Sequence, residues 1–165
     1  MIATPAVTFY SLVLAIHIAA VVVGFGVTFA YPIIFAVVEK ADKRALPALL
    51  RAEKAIGQRL ISPSLLVILL AGIYLASKLH VWSSFYVQWG FGVAIVLGAM
   101  GGLFFGPTEG RLIEMAERDV AAAGDGEVVL SPEYLAQSKR LAIGGALASL
   151  LVLVTIFFMA TQTGA

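Results

Sequence analysis

VTFYSLVLAIHIAAVVVGFGVTFAYPIIFAVV, residues 7–38, carries no Asp, Glu, Lys or Arg. At 1.5 Å of rise per residue these 32 residues make a helix about 48 Å long. The hydrocarbon core of a bilayer is about 30 Å thick. The stretch is therefore long enough to span, with tilt, and Pro32 is placed to kink its inner end. A cleaved signal peptide has a basic start and an apolar core of about 7–15 residues. Here no Lys or Arg precedes Lys40, so the stretch reads as a permanent helix.

Three further apolar runs follow, at residues 61–77, 90–106 and 141–160, and Val87 to Trp89 can extend the second of them at the interface. The chain is 61% hydrophobic and 13% charged, against about 25% charged in soluble domains. In hydrocarbon every backbone N–H and C=O needs an internal partner, so only helices or closed barrels cross. Barrel strands alternate apolar and polar residues, and these runs do not. The reading is an all-α transmembrane four-helix bundle with short amphipathic helices in its loops, one membrane domain over residues 1–165. The absence of cysteine excludes thiolate metal sites, iron–sulfur ligation and cysteine nucleophiles.

Charge position sets the expected orientation. Ten of the eleven Lys and Arg residues lie in loops 39–60 and 107–140, and the eleventh is Lys78. Basic loops are retained in the cytoplasm. Both loops are then cytoplasmic and both termini extracytoplasmic, in a multi-pass protein of the cell membrane. Phe9, Tyr10, Trp82, Phe85, Tyr86 and Trp89 collect at the outer interface, as aromatic belts do. Within the loops, Asp42 is placed to cap a short helix carrying Leu46, Leu49, Leu50 and Ile56. Ser62-Pro63 reads as the start of helix two, Thr108 as a cap, Gly124-Asp125-Gly126 as a break, and Ser131-Pro132-Glu133 as the start of helix four. The carboxylates Glu109, Glu114, Glu117, Asp119, Asp125, Glu127 and Glu133 read as a solvated run.

Helix three repeats small residues every fourth position, with Gly98, Gly102 and Gly106 as a doubled G-x-x-x-G, and helix four offers Gly144. Small residues let helix backbones approach closely in lipid. The seam serves packing within the chain or a homo-oligomer face; the sequence leaves both open.

His17 is the ionisable side chain deep inside a span. Tyr10, His17, Gly24 and Tyr31 recur every seven residues, with Leu14, Val21 and Thr28 between them, so they share one face. Val22, Val23 and Phe29 then face lipid. An intramembrane ionisable residue is a functional hypothesis. A neutral imidazole can ligate haem iron or copper while its other N–H binds a carbonyl. Gly24 would leave room for a flat macrocycle, and Met100 or Met159 would supply a soft second donor. The plainer alternative is a histidine that fixes helix register through one hydrogen bond.

YSLVLAIHIAAVVVGFG (residues 10–26) resembles the first helix of a family of uncharacterised bacterial four-helix integral membrane proteins of the inner membrane, and RLAIGGALASLL (residues 140–151) is similar to a later segment of it. That family is distantly similar to copper-resistance D-type proteins and to a haem-binding protoporphyrinogen oxidase. The resemblance implies a role for His17. The oxidase relatives also use a lysine in a later span, and helices three and four here have none; the methionine-rich outer segments of a copper importer are missing too.

No phosphate loop, nucleophile elbow or zinc-protease motif occurs. Two functions are expected: a non-enzymatic component working through the lipid bilayer, helix packing and membrane partners, or a haem- or copper-binding protein using His17. A small-solute channel is a weaker third. Nothing in the charge pattern suits nucleic acid.

Overall fold

In the computed structural model residues 7–164 are described, and no strand occurs among them. Four long rods form the molecule: Phe9–Ala41, Lys43–Leu79, Phe85–Ala123 and Pro132–Thr161, each apolar enough to cross a membrane. The first three are interrupted. Rod one is α1 (Phe9–Phe25) and α2 (Tyr31–Ala41), joined by a 3₁₀ turn at Gly26–Phe29. Rod two is α3 (Leu46–Ile56) and α4 (Ser62–Leu79), joined by a π-helical turn at Gly57–Ile61. Rod three is α5 (Phe85–Ala99) and α6 (Gly106–Ala123), joined by a π-helical turn at Met100–Phe105. Rod four, α7 (Pro132–Thr161), is unbroken.

The prolines explain this pattern. Proline has no N–H to give the carbonyl four residues earlier, and its ring crowds that carbonyl. For Pro32, Pro63 and Pro107 the carbonyls concerned belong to Thr28, Arg59 and Leu103, which lie in the 3₁₀ turn and the two π turns. Pro132 stands in the first turn of its helix, where no such bond is lost, and α7 is uninterrupted.

A rod of 39 residues is about 58 Å long, nearly twice the hydrocarbon thickness. The rods therefore continue beyond the membrane, and at one end they build a charged cap from α2, α3, α6 and the start of α7. Inside the cap is the best-buried core of the chain: Leu46, Leu50, Leu112 and Ala116 at 1% exposure or less, with Val128, Leu130, Tyr134 and Leu141 around them. Along the spans, by contrast, large apolar side chains such as Val22, Leu70, Ile95, Leu150 and Phe157 point outward. That division is physical. Water drives burial in the cap, whereas lipid offers the span side chains an environment as apolar as the bundle.

The ends follow the expected chemistry in part. Asp42 accepts the Arg44 N–H at 2.9 Å and starts the turn into α3. Ser131 Oγ accepts the Tyr134 N–H at 3.3 Å and caps α7, and Gly124, at φ +51°, closes α6. Two expectations are corrected. Ser62 is not an N-cap: it is the first residue of α4, which continues directly from the π turn, and its hydroxyl donates to the Gly57 carbonyl at 2.9 Å. Thr108 is interior to α6 and buried. In both cases a wide turn absorbs the proline that would otherwise have forced a fresh start.

Candidate functional site

Toward the far end from the cap, α1 packs along α4 and α5 against α7. Between the two pairs lies an apolar cavity of about 460 Å³, within the size range of small-molecule sites. Tyr10, Leu14, His17 and Val21 line it from α1, Gly72 from α4, Gly90 and Phe91 from α5, and Thr155 and Met159 from α7. Aromatic side chains gather near the end of the bundle away from the cap. Trp82 stacks on Phe91 with centroids 5.2 Å apart, Phe158 meets both Phe85 (5.4 Å) and Trp89 (5.3 Å), and Trp89 Nε1 donates to Thr155 Oγ1 at 3.0 Å.

His17 stands on the cavity wall with Nδ1 3.1 Å from the Ile68 carbonyl oxygen. A carbonyl only accepts, so Nδ1 carries the hydrogen and the Nε2 lone pair is left uncommitted. The heptad face read from the sequence is thus the inward face: Tyr10, Leu14, His17 and Val21 reach the cavity. Val23, at 52% exposure, faces outward as expected, whereas Val22, though 64% exposed, also borders the cavity, as does Ile18.

The remaining predicted residues separate. Gly24 does not line the cavity: a Cβ there would come within 2.6 Å of Ser64 Cβ, so its missing side chain serves the α1–α4 contact. Met100 sits in the π turn and does not line the cavity; Met159 does. A Cβ at Gly90 would overlap the Met159 methyl, so that glycine is what admits the thioether. Of the packing glycines, a Cβ on Gly144 would run into the Phe104 ring and one on Gly98 would come within 3.4 Å of Leu65 Cδ2. Gly106 approaches only the Gly101 carbonyl, and Gly102 meets nothing within 4 Å. The π turn between Gly98 and Gly106 changes the angle per residue, and a four-residue repeat no longer traces one face.

A second polar group lies at the cap, and sequence reading missed it. Glu109 and Asp119 are 7% and 8% exposed, so the presumed solvated run contains two buried carboxyls. Asp119 Oδ2 accepts the Ser131 N–H at 2.8 Å and Oδ1 accepts Arg118 Nη2 at 3.1 Å. Burial alone would raise its pKa; the hydrogen bonds from Ser131 and Arg118, with the guanidinium charge, outweigh burial and hold it below the ordinary value. Glu109 has no such company. Burial pushes it up to about 7 against the opposing charge of Lys54, and burial with the charge of Glu109 pushes Glu53 up to about 8. A signal was present: Leu46, Leu50 and Glu53 share one helical stripe, as do Glu109, Leu112, Ala116 and Asp119.

Fold and cavity together define a multi-pass, all-α membrane protein with an intramembrane histidine beside an apolar chamber. Comparison with protein-family models, curated proteins and solved structures finds no match to the chain.

Proposed function

We propose that the chain is a membrane haem-binding protein that takes its ligand into the cavity between α1, α4, α5 and α7, with His17 Nε2 as the iron ligand. The single observation that carries this reading is the Nδ1 bond to the Ile68 carbonyl, which orients the ring and leaves Nε2 as a lone pair on the wall of an apolar chamber. Second-interaction support of this kind fixes the tautomer of ligating histidines and raises their basicity. Among the described residues no three His, Cys, Asp or Glu side chains converge as a metal-binding group. That donor set suits haem better than a bare copper ion, because the macrocycle brings four nitrogens of its own and asks the protein for one or two more. Met159, lining the same cavity from α7, is the soft donor in reach of that role. Bound haem would supply one-electron chemistry; the chain's residues would orient it and exclude water. The basic loops support a cap in the cytoplasm and a cavity in the outer half of a bacterial inner membrane. The likeness of residues 10–26 to the family named above points to the same histidine.

The test is the absorbance spectrum and metal content of protein purified from haem-replete cells. A Soret band is expected, lost in His17→Ala and shifted but present in Met159→Leu. A colourless, metal-free preparation overturns the reading and leaves a component that acts through partners. Bound copper without haem overturns the choice of ligand.

A further inference from the structure

The strongest unassigned feature lies at the other end of the molecule, where the three interrupted rods enter the cap. Tyr31 opens α2 just after the 3₁₀ turn, Glu53 stands one turn before the π turn at Gly57–Ile61, and Glu109 follows the π turn at Met100–Phe105. The Tyr31 hydroxyl and Glu53 Oε2 are fully buried with no hydrogen-bond partner among the described residues. Glu109 is more than nine-tenths buried. A buried polar atom without a partner costs about 1–3 kcal/mol, more if charged, so an unpartnered Glu53 carboxylate oxygen here calls for a compensating charge.

The charges identify it. Tyr31 is close enough to Glu53 and Glu109 to feel both, and the two carboxyls feel each other. Lys54 acts on Glu109, and its Nζ lies against Gly110, 3.3 Å from where a Cβ would be. The Tyr134 hydroxyl of α7 lies within electrostatic reach of Glu39, Glu53 and Asp119. Arg51 is committed to Glu117 and Arg118 to Asp119. With Glu53 and Glu109 ionised and Lys54 charged, the site carries one uncompensated negative charge. A buried site does not tolerate that. One added positive charge neutralises it, and since no three His, Cys, Asp or Glu side chains gather as metal ligands among the described residues, a proton is the charge the site suits.

We propose that Glu53 and Glu109 form a proton-binding carboxyl pair beside the Tyr31 hydroxyl, holding a single exchangeable proton where α2, α3 and α6 meet. A proton entering from the cap side converts one carboxylate to the neutral acid; its loss leaves two like charges facing each other across α3 and α6. The two carboxyls act on each other through their charges, so the proton belongs to the pair's coupled titration and not to either residue alone. Because each partner lies next to a π turn, repulsion acts on the points where the rods most easily bend. The inference does not depend on what the outer cavity binds.

The experiment is infrared titration of full-length protein reconstituted in lipid vesicles, following the carbonyl stretch of protonated carboxyl groups from mildly acid to mildly alkaline pH. A band that titrates near neutrality is expected, absent in Glu53→Gln with Glu109→Gln combined. Should that double variant fail to fold, Lys54→Met provides the second arm: removing the cation must move the midpoint to higher pH. The proposal is overturned by a wild type with no protonated carboxyl at neutral pH, by a band that survives the double substitution, or by a midpoint indifferent to Lys54→Met. A midpoint that falls as sodium replaces a bulky organic cation also overturns it, and assigns a metal-cation site instead.

Discussion

Two leucines show how differently one residue type behaves in the two halves of this molecule. Leu50 is 1% exposed in the cap core, between α3 and α6. Leu150 is 57% exposed on α7, on the lipid side of a span. Truncating a buried leucine in water costs about 2–5 kcal/mol, through lost transfer energy and the cavity left behind. The lipid-facing leucine exchanges chain contacts for acyl-chain contacts, with little change. Leu50→Ala should therefore lower the unfolding midpoint of detergent-solubilised protein strongly and Leu150→Ala hardly at all; equal effects would contradict the division between cap and span. At this scale the sequence was legible where periodicity and polarity agree, as in the seven-residue recurrence that turned His17 inward. It was illegible where a charged residue shares an apolar stripe. Glu109 and Asp119 are read as solvated by their type and as buried by their register, and register decides, because Leu112 and Ala116 between them fix which face packs.

The elements owe their form to prolines placed three times near the same level. A π turn carries one more residue than the α turn it replaces, and that residue keeps the faces on either side in their packed orientation. Gly101, in the π turn of rod three, has nothing within 4 Å of a would-be Cβ. Deleting it should let the turn close to ordinary α-helix while α5 still faces α7 and α6 still faces α3. Deleting Ala94, buried in the middle of α5, removes a residue from a regular stretch and rotates everything beyond it by about 100°. The first variant is expected to give wild-type yield and a single monodisperse peak in size-exclusion chromatography, the second to aggregate. Reversed outcomes would mean that the wide turn is itself required. The four spans, the cap of α7 and the break at Gly124 could be read from composition and end signals. The π turns could not, since 3.6-residue periodicity has no place for an inserted residue, and the doubled G-x-x-x-G was misaligned for the same reason.

At the scale of the whole molecule the open question is direction across the membrane, and it is decided by a small number of cations. Each Lys or Arg at the centre of a bilayer costs about 2.5–3.5 kcal/mol on insertion scales, and loops rich in them are held back on the cytoplasmic side. The cap holds ten of eleven such residues. The opposite end has the short turn around Ser83, flanked by Lys78 alone and dense in aromatic side chains. Cap inside and cavity outward is the arrangement that asks the fewest cations to cross. The chain has no cysteine, so a single introduced thiol reports its own position without background. Ser83 and Asp125 are both exposed, in turns at opposite ends of the rods. In intact cells a membrane-impermeant maleimide should label Ser83→Cys, and should label Asp125→Cys only after the membrane is opened. The reverse pattern would put the His17 chamber on the cytoplasmic side and the Glu53–Glu109 pair on the outer one. The proton would then exchange with the external medium, and a ligand for the cavity would enter from within the cell. Labelling of both positions in intact cells would mean that the orientation is mixed, and that the cation bias is too weak to fix which side either site serves.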